Sequence, residues 1–252
     1  MSSYENLITI TGGTKGIGRS IAEYYLSKGW HVVVGSRKNS SDKKFKHPNL
    51  KFKKIDVKIE RDHEEFFKFA LKQKKNFICA INCAGFSEWK PINKVTEKFW
   101  NQMINTNLKG TFLGCKIASK NLSKGGSIIN ISSLAGKRGS SNNSVYCASK
   151  FGVNGLTQAL AKELGSKKIR VNAVCPVYIN TPGLKKALMN KNSPSKGIKI
   201  ENFFEGFSKS DTALNFLPSS QDVAQLCFFL SSNESSSITG QCINIDCGVM
   251  PQ

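Results

Sequence analysis

The chain has 252 residues, 39% of them hydrophobic, which is enough for one large domain with a full core. It holds no apolar run of the ~18 residues that a membrane-spanning helix needs, and its start, MSSYENLITITGG, lacks a basic region and enters a strand pattern at once, which argues against a signal peptide. The formal net charge of +20 would ordinarily suggest nucleic acid or an acidic surface, but the lysines run from Lys15 to Lys209 among abundant Asn, Ser, Ile and Phe, with no Arg-rich tract and no nucleic-acid module, so a general compositional bias with no nucleic-acid and no membrane partner is expected.

In chain order, strand and helix patterns alternate. NLITIT (6–11) reads as a short apolar strand, followed by a glycine-rich turn and a helix through RSIAEYYLSKG. WHVVVGS (30–36) is a second strand and LKFKKIDV (50–57) a third, and the basic run SDKKFKHPNLKFKK (41–54) reads as a solvated loop and strand edge. HEEFFKFALKQ has one apolar face and predicts a helix. NFICAIN (76–82) is a buried strand, 96–123 a helical region of two helices, and GSIINISS (126–133) another buried strand. SVYCASKFG (144–152) opens a helix in which Val153, Leu156 and Leu160 recur at buried-stripe spacing and Ala148, Gly152, Gly155 and Ala159 allow close packing. IRVNAVCP (169–176) is a strand, 180–218 is rich in Pro, Gly, Ser and Lys, SQDVAQLCFFLSS is a helix, and GQCINIDC is the last strand. Apolar strands alternating with helices predict a parallel sheet covered on both faces, an α/β doubly wound fold of three layers. No linker or repeat divides the chain, so a single domain over 1–252 is expected.

The eight cysteines stand singly at 79, 83, 115, 147, 175, 227, 242 and 247, without any C-x-x-C. They read as free, mostly buried thiols of a reducing compartment, which fits the cytoplasm; neither a disulfide framework nor a metal site is expected.

Two stretches carry chemistry. Tyr146 and Lys150 are four residues apart, so on a helix they share one face with Cβ atoms ~5–6 Å apart. An ammonium there favours the phenolate and draws a tyrosine towards working pH, which is how tyrosine becomes a general acid or base. Taken alone, such a pair is more often only an exposed helix face, and the rest of the chain has to decide. The turn TITGGTKGIG places Gly12, Gly16 and Gly18 between a strand and a helix. Glycines at the first strand-to-helix turn of a parallel sheet let the backbone approach a pyrophosphate at the helix N-terminus.

With these motifs in order, the whole chain resembles a single-domain short-chain dehydrogenase/reductase. TGGTKGIG is similar to the family's T-G-x-x-x-G-x-G, NCAG (82–85) to N-N-A-G with Cys83 for the second Asn, and NTNLKGTF carries the helix asparagine, Asn107. GSIINISSLAG carries the family serine and YCASK the Tyr-x-x-x-Lys, while RVNAVCP and ITGQCINIDCG match the late strands. The family serine lies thirteen residues before the tyrosine, which selects Ser133 over Ser132. The resemblance implies an enzyme that interconverts a carbonyl and a secondary alcohol by hydride transfer with a nicotinamide cofactor. It implies that Tyr146 exchanges a proton with the substrate oxygen and that Ser133 hydrogen-bonds that oxygen. Lys150 would hold the nicotinamide ribose and depress the Tyr146 pKa, and Asn107 would support a water linking Lys150 to solvent. The implied cofactor contacts are Gly12, Thr14, Lys15, Gly16, Ile17, Gly18, Ser36, Arg37, Asp56, Val57, Asn82, Ala84, Gly85, Tyr146, Lys150, Pro176, Val177 and Thr181, with Asp56 at the adenine ring. Intact Asn107, Ser133, Tyr146 and Lys150 argue against a non-catalytic scaffold or nucleotide sensor.

At the end of the second strand, NAD enzymes carry an acidic residue for the adenosine ribose. Here Ser36 stands there, Arg37 follows, and Lys15 lies in the glycine turn, so NADP(H) is expected over NAD(H). Two positions depart from the family pattern: Val177 follows Pro176 where Gly is usual, and Cys247 takes the first Gly of Asp-Gly-Gly. Residues 182–217 are expected to form a substrate lid, with Phe203, Phe204 and Phe207 as apolar wall or lid packing and Lys185 and Lys186 as neighbours or solvated side chains. Related hydroxybutyrate dehydrogenases clamp a carboxylate with a Lys and a Gln where this chain has Asn143 and Ser87, so that clamp is absent. A 3-oxoacyl or similar keto substrate is expected, with a sugar, polyol or hydroxy acid as the alternative. Family members of this size usually form tetramers through the two long helices and the last strand, so a homotetramer is expected.

Overall fold

The computed structural model describes residues 6–251. Seven strands form one sheet: β1 (Asn6–Thr11), β2 (His31–Ser36), β3 (Leu50–Lys54), β4 (Asn76–Asn82), β5 (Ser127–Ile131), β6 (Arg170–Pro176) and β7 (Cys242–Ile245). Their order is β3-β2-β1-β4-β5-β6-β7, and every neighbouring pair is parallel. The order runs one way from β1 to β3 and the other way from β4 to β7. That reversal opens a crevice beyond the C-terminal ends of β1 and β4, the place where doubly wound sheets take ligands.

The strand sequences dictate the two faces, because successive side chains point to opposite sides. Ile8, Ile10, Val32, Val34, Ile129 and Ile131 face a core closed by α1 (Gly16–Ser27) and α8 (Ser220–Ser231), through Ile21, Tyr25, Val223 and Leu230. Leu7, Val33, Ile128 and Val171 face the other core, closed by α2 (Glu60–Leu71), α4 (Gly110–Asn121) and α5 (Ser144–Leu164), through Phe66, Phe67, Cys115, Ile117 and Leu164. Both faces being buried is why these strands read as continuous apolar runs. The exceptions are the two edge strands: β3, LKFKK, whose lysines leave it partly exposed and guard the open edge, and β7, whose four residues are half-buried.

The third strand and the stretch 180–218 depart from the expected pattern and the two helices expected over 96–123 are present, each for a local reason. The third strand stops at Lys54, because Asp56 donates its N–H to Asp62 Oδ2 at 2.8 Å and accepts from Lys58 N at 3.1 Å, a turn that leads into α2. The helical region 96–123 divides into α3 (Glu97–Ile104) and α4 through a π-helical turn, Asn105–Lys109, in which Asn107 is fully buried. Such single π turns insert one residue and re-aim a side chain. The Pro- and Lys-rich stretch 180–218 holds two helices, α6 (Pro182–Leu188) and α7 (Ile200–Asp211). Thr181 accepts from Leu184 N at 3.3 Å and Pro182 occupies the first helical position, which starts α6 despite its composition.

Candidate active site

The crevice at the β1/β4 switch is a cleft of about 380 Å³. Its floor is the turn from β1 into α1. Gly12 adopts φ +72° and a Cβ there would lie 2.8 Å from the Ala84 Cα, so only glycine lets the two loops meet. A Cβ on Gly18 would lie 2.4 Å from the Gly12 oxygen, so glycine also brings α1 down onto the turn. The first turn of α1 carries no acidic residue, and Lys15 at its cap offers no side-chain acceptor to the free N–H groups. Free amides, a positive helix end and a nearby ammonium make this a place for an anion. These residues fit the pyrophosphate of a dinucleotide.

At the other end of the cleft, α5 delivers Tyr146 and Lys150 one turn apart. The Lys150 side chain runs under the tyrosine ring, its Nζ 5.7 Å from the ring centroid, and donates to the Ile131 carbonyl at 2.8 Å. Ser133, just past β5, hydrogen-bonds the Tyr146 side chain and faces the cleft. Ser132 instead donates to the Lys150 carbonyl at 3.3 Å and is buried. Burial pushes the Tyr146 phenol up to about 12, and the Ser133 hydrogen bond opposes that rise. In this arrangement Ser133, and not Lys150, is the group that opposes it. Burial also brings the Lys150 ammonium down to about 8, partly offset by the Cys83 and Cys175 thiols.

Thirteen of the expected site residues line the cleft: Gly12, Lys15, Gly16, Ile17, Gly18, Ala84, Gly85, Ser133, Tyr146, Lys150, Pro176, Val177 and Thr181. Asn107, Asn82, Thr14, Ser36, Arg37, Asp56 and Val57 lie outside its lining. Asn107 accepts from Phe86 N at 3.0 Å and donates to Phe86 O at 2.9 Å, pinning the loop after β4. A Cβ on Gly85 would lie 3.1 Å from Asn107 Oδ1 and 3.8 Å from Lys150 Nζ, so this asparagine stands close behind the lysine. Asn82 donates to Asn130 Oδ1 at 2.9 Å and supports the sheet. Thr14 and Ser36 hydroxyls are 3.0 Å apart at the end of β2, with Arg37 exposed beside them. The loop beyond Arg37 is held to α1 by Arg19, which pairs with Asp42 at 2.8 Å and lies 4.8 Å over the Phe45 ring. Asp56 pairs with Lys58 at 3.5 Å, and Val57 packs into the core.

Val177 donates its N–H to Ile245 O at 3.0 Å with φ outside the left-handed region, so the missing glycine creates no backbone strain. Cys247 does take φ +53°, where glycine is preferred, and its carbonyl accepts from Ala213 N at 2.9 Å. Of the lid residues, Phe203 and Phe207 stack edge-on against Tyr178 at 5.5 and 4.8 Å, and Lys185 pairs with Glu201 at 3.4 Å. Phe203, Phe204, Phe207, Lys185 and Lys186 do not line the cleft; they pack or meet solvent. Sequence reasoning missed Trp89, Arg138 and Tyr178, which do line it. The available signal was position: Arg138 follows Ser133 by five residues, and Tyr178 follows Pro176 by two.

A family model described as enoyl-(acyl carrier protein) reductase matches residues 12–250. The chain is 33% identical to the 3-oxoacyl-(acyl-carrier-protein) reductase FabG of Thermotoga maritima, over 96% of each chain. It is 32% identical to an (S)-acetoin-forming diacetyl reductase of Staphylococcus epidermidis, over 96% of this chain and 97% of that one. The ligand-free aldohexose dehydrogenase of Thermoplasma acidophilum superposes with a TM-score of 0.88 at 28% identity, covering 100% of this chain and 99% of that chain. ElxO with NADP bound superposes with a TM-score of 0.86 at 32% identity, covering 98% of this chain and 100% of that chain.

The buried lysine yields a direct prediction. Lys150 should titrate near pH 8, against an ordinary value of 10.5. Because the unfolded chain binds that proton more tightly, Lys150 costs stability below pH 8, and the cost lifts as pH rises from 8 to 10.5. Carbon-13 NMR of the dimethylated protein should show one lysine with a midpoint near 8 that is lost in Lys150→Met. A spectrum in which every lysine titrates above ~10, the ordinary range, would contradict this burial.

Proposed function

This chain belongs to the short-chain dehydrogenase/reductase family of carbonyl–alcohol oxidoreductases, and we propose that it is an NADPH-dependent reductase of a 3-oxoacyl or similar keto substrate. The observation that carries the reading is the meeting of Ser133, Tyr146 and Lys150 at one end of a cleft whose other end is a glycine cradle at a helix N-terminus. The nicotinamide, when bound, supplies the hydride that goes to the carbonyl carbon. Ser133 orients the substrate oxygen by a hydrogen bond. Tyr146 gives its phenolic proton to that oxygen, which becomes the alcohol hydroxyl. A phenol held up at about 12 is protonated at neutral pH, the state from which it can give a proton. Lys150 holds the ribose and places a positive charge under the ring, and Asn107 supports the water that returns a proton to it.

Gly12, Thr14, Gly16, Ile17 and Gly18 take the pyrophosphate side; Asp56, Val57, Asn82, Ala84 and Gly85 take the adenosine side; and Pro176, Val177 and Thr181 take the nicotinamide side. Preference for NADP(H) is supported by Ser36 where a carboxylate would repel a 2′-phosphate, with exposed Arg37 and Lys15 on either side. The chain acts as one NAD(P)-binding domain with 182–217 as its lid. Cytoplasmic residence is supported by eight unpaired cysteines, five of them buried. Among the described residues, no helix is long and apolar enough to cross a membrane. A homotetramer is supported by Trp100, Phe112 and Phe151, which are 44%, 44% and 48% exposed on α3, α4 and α5.

Tyr146→Phe keeps the ring and removes the proton, so kcat should fall by on the order of 10²–10⁴ with the fold unchanged by circular dichroism. Near-normal turnover would remove Tyr146 from its role. For the cofactor, kcat/KM at one salt concentration should favour NADPH over NADH by about ten- to a hundredfold, the worth of a charge-assisted bond to phosphate. Arg37→Ala should erase most of that preference and leave NADH nearly untouched; a wild-type preference for NADH would overturn it. Light scattering at micromolar protein should give a tetrameric mass, and a monomeric mass would contradict the packing of exposed Phe112 and Phe151 between copies.

A further inference from the structure

Three cationic side chains line the cleft, Lys15, Lys150 and Arg138, and no acidic side chain does. Two of the three have a place in the reading above. Lys15 stands at the glycine turn, and the Lys150 ammonium is bound to the Ile131 carbonyl under Tyr146. Arg138 is left over. It lies five residues beyond Ser133, in a turn fixed by its own N–H to Leu134 O at 3.0 Å. Its guanidinium is exposed and forms no ion pair or side-chain hydrogen bond among the described residues.

Tyr178 lines the same cleft, two residues beyond the end of β6. Its ring is clamped edge-on by Phe203 and Phe207 of α7, at 5.5 and 4.8 Å. Its hydroxyl makes no hydrogen bond among the described residues, and the residue lines the cleft. Burial holds the phenol up at about 12, so it remains a donor at every ordinary pH, and the Arg138 charge is near enough to act on it. Asp211 also acts on Tyr178 but does not line the cleft. The rest of the lining is mixed: Phe86 and Leu184 are apolar, Ser87 is polar, and Trp89 Nε1 and Asn143 Oδ1 are buried without a hydrogen-bond partner among the described residues.

An uncommitted guanidinium and an uncommitted phenol donor, facing one cavity without any acid, match a planar anion. We propose that Arg138 and Tyr178 form an anion-reading subsite, and that the keto substrate carries its own carboxylate: a free keto acid, in preference to a neutral ester, thioester or diketone. The inference rests on the keto-reductase reading and refines its substrate class. Arg138 and Tyr178 are other residues than Asn143 and Ser87, the positions at which related hydroxybutyrate dehydrogenases hold a carboxylate, although all four line the same cleft; here the anion is gripped from the turn after β5 and the turn after β6.

The test is a matched pair. Initial rates with NADPH are measured for a short 3-oxo acid and for its methyl ester, at low and at high salt. The acid should show a kcat/KM about ten- to a hundredfold above the ester, the range of one charge-assisted hydrogen bond, and the ratio should shrink as salt rises. Arg138→Gln should bring the ratio close to unity without changing the KM for NADPH, and Tyr178→Phe should lower the ratio several-fold. Arg138 is exposed, so its replacement leaves the fold intact, and the ratio is insensitive to any loss of active protein. Equal use of acid and ester by the wild-type enzyme, or a ratio unchanged in Arg138→Gln, would overturn the subsite while leaving the reductase reading standing. Absence of turnover for every carbonyl in a wider panel of ketones, diketones and thioesters would overturn the reductase reading, and the subsite with it.

Discussion

The hydrogen bond from Lys150 Nζ to the Ile131 carbonyl, 2.8 Å long, organises this site. It spans from the first turns of α5 to the end of β5 and buries an ammonium that is only 6% exposed. An isolated charge in such a place is costly, so everything around it is committed to holding it. Ser132 donates to the Lys150 carbonyl, and Gly136 lies against the same carbonyl, where a Cβ would come within 2.7 Å. The helix is therefore docked on the turn after β5 at backbone contact. Ser133, the next residue in that turn, is left pointing at Tyr146. Serine, tyrosine and lysine are thus placed by one close packing of helix on turn, not by three separate loops.

The same docking explains the electrostatics. Burial raises the phenol and lowers the ammonium, so both groups are pushed towards their neutral forms. A neutral phenol stands beside a lysine that is still mostly charged at neutral pH, a proton donor with a proton source close by. The π turn that carries Asn107 brings a third polar group behind the lysine, and its two bonds to Phe86 fix the loop that forms the cleft's other lip. The fold, the proton donor and the cleft wall are parts of one construction at the C-terminal edge of the sheet.

Much of this was legible in the sequence because it depends on short-range rules. Continuous apolar runs along β1 and β2 reveal strands buried on both faces, and Gly12, Gly16 and Gly18 declare a tight strand-to-helix turn. The four-residue spacing of Tyr146 and Lys150 declares a shared helix face. The unread parts depend on contacts between distant segments. The π turn at Asn105–Lys109 has no composition signal, since it arises from how α3 and α4 dock on the loop at Phe86. Helices α6 and α7 hide in a Pro- and Lys-rich stretch because their support is tertiary: Trp89 and Tyr178 pack against Leu188, Phe203 and Phe204. Composition left Lys185, Lys186 and the phenylalanines of 182–217 open between cleft wall and packing, and they pack or meet solvent, while Arg138 and Tyr178 line the cleft from two turns that no motif marks.

The charge of +20 bears on this last point. A strongly positive molecule gathers anions of every kind near its surface, which raises encounter rates and confers little choice among them. Both the dinucleotide phosphates and any acidic substrate benefit equally, and salt removes the advantage. Discrimination has to come from groups fixed in space. The glycine turn holds backbone amides for one anion, and the turns after β5 and β6 bring a guanidinium and a phenol to the same cleft, the phenol ring held by Phe203 and Phe207. The lysine-rich surface brings anions in; the few cations held by the cleft wall, with no carboxylate among them, decide where each one settles.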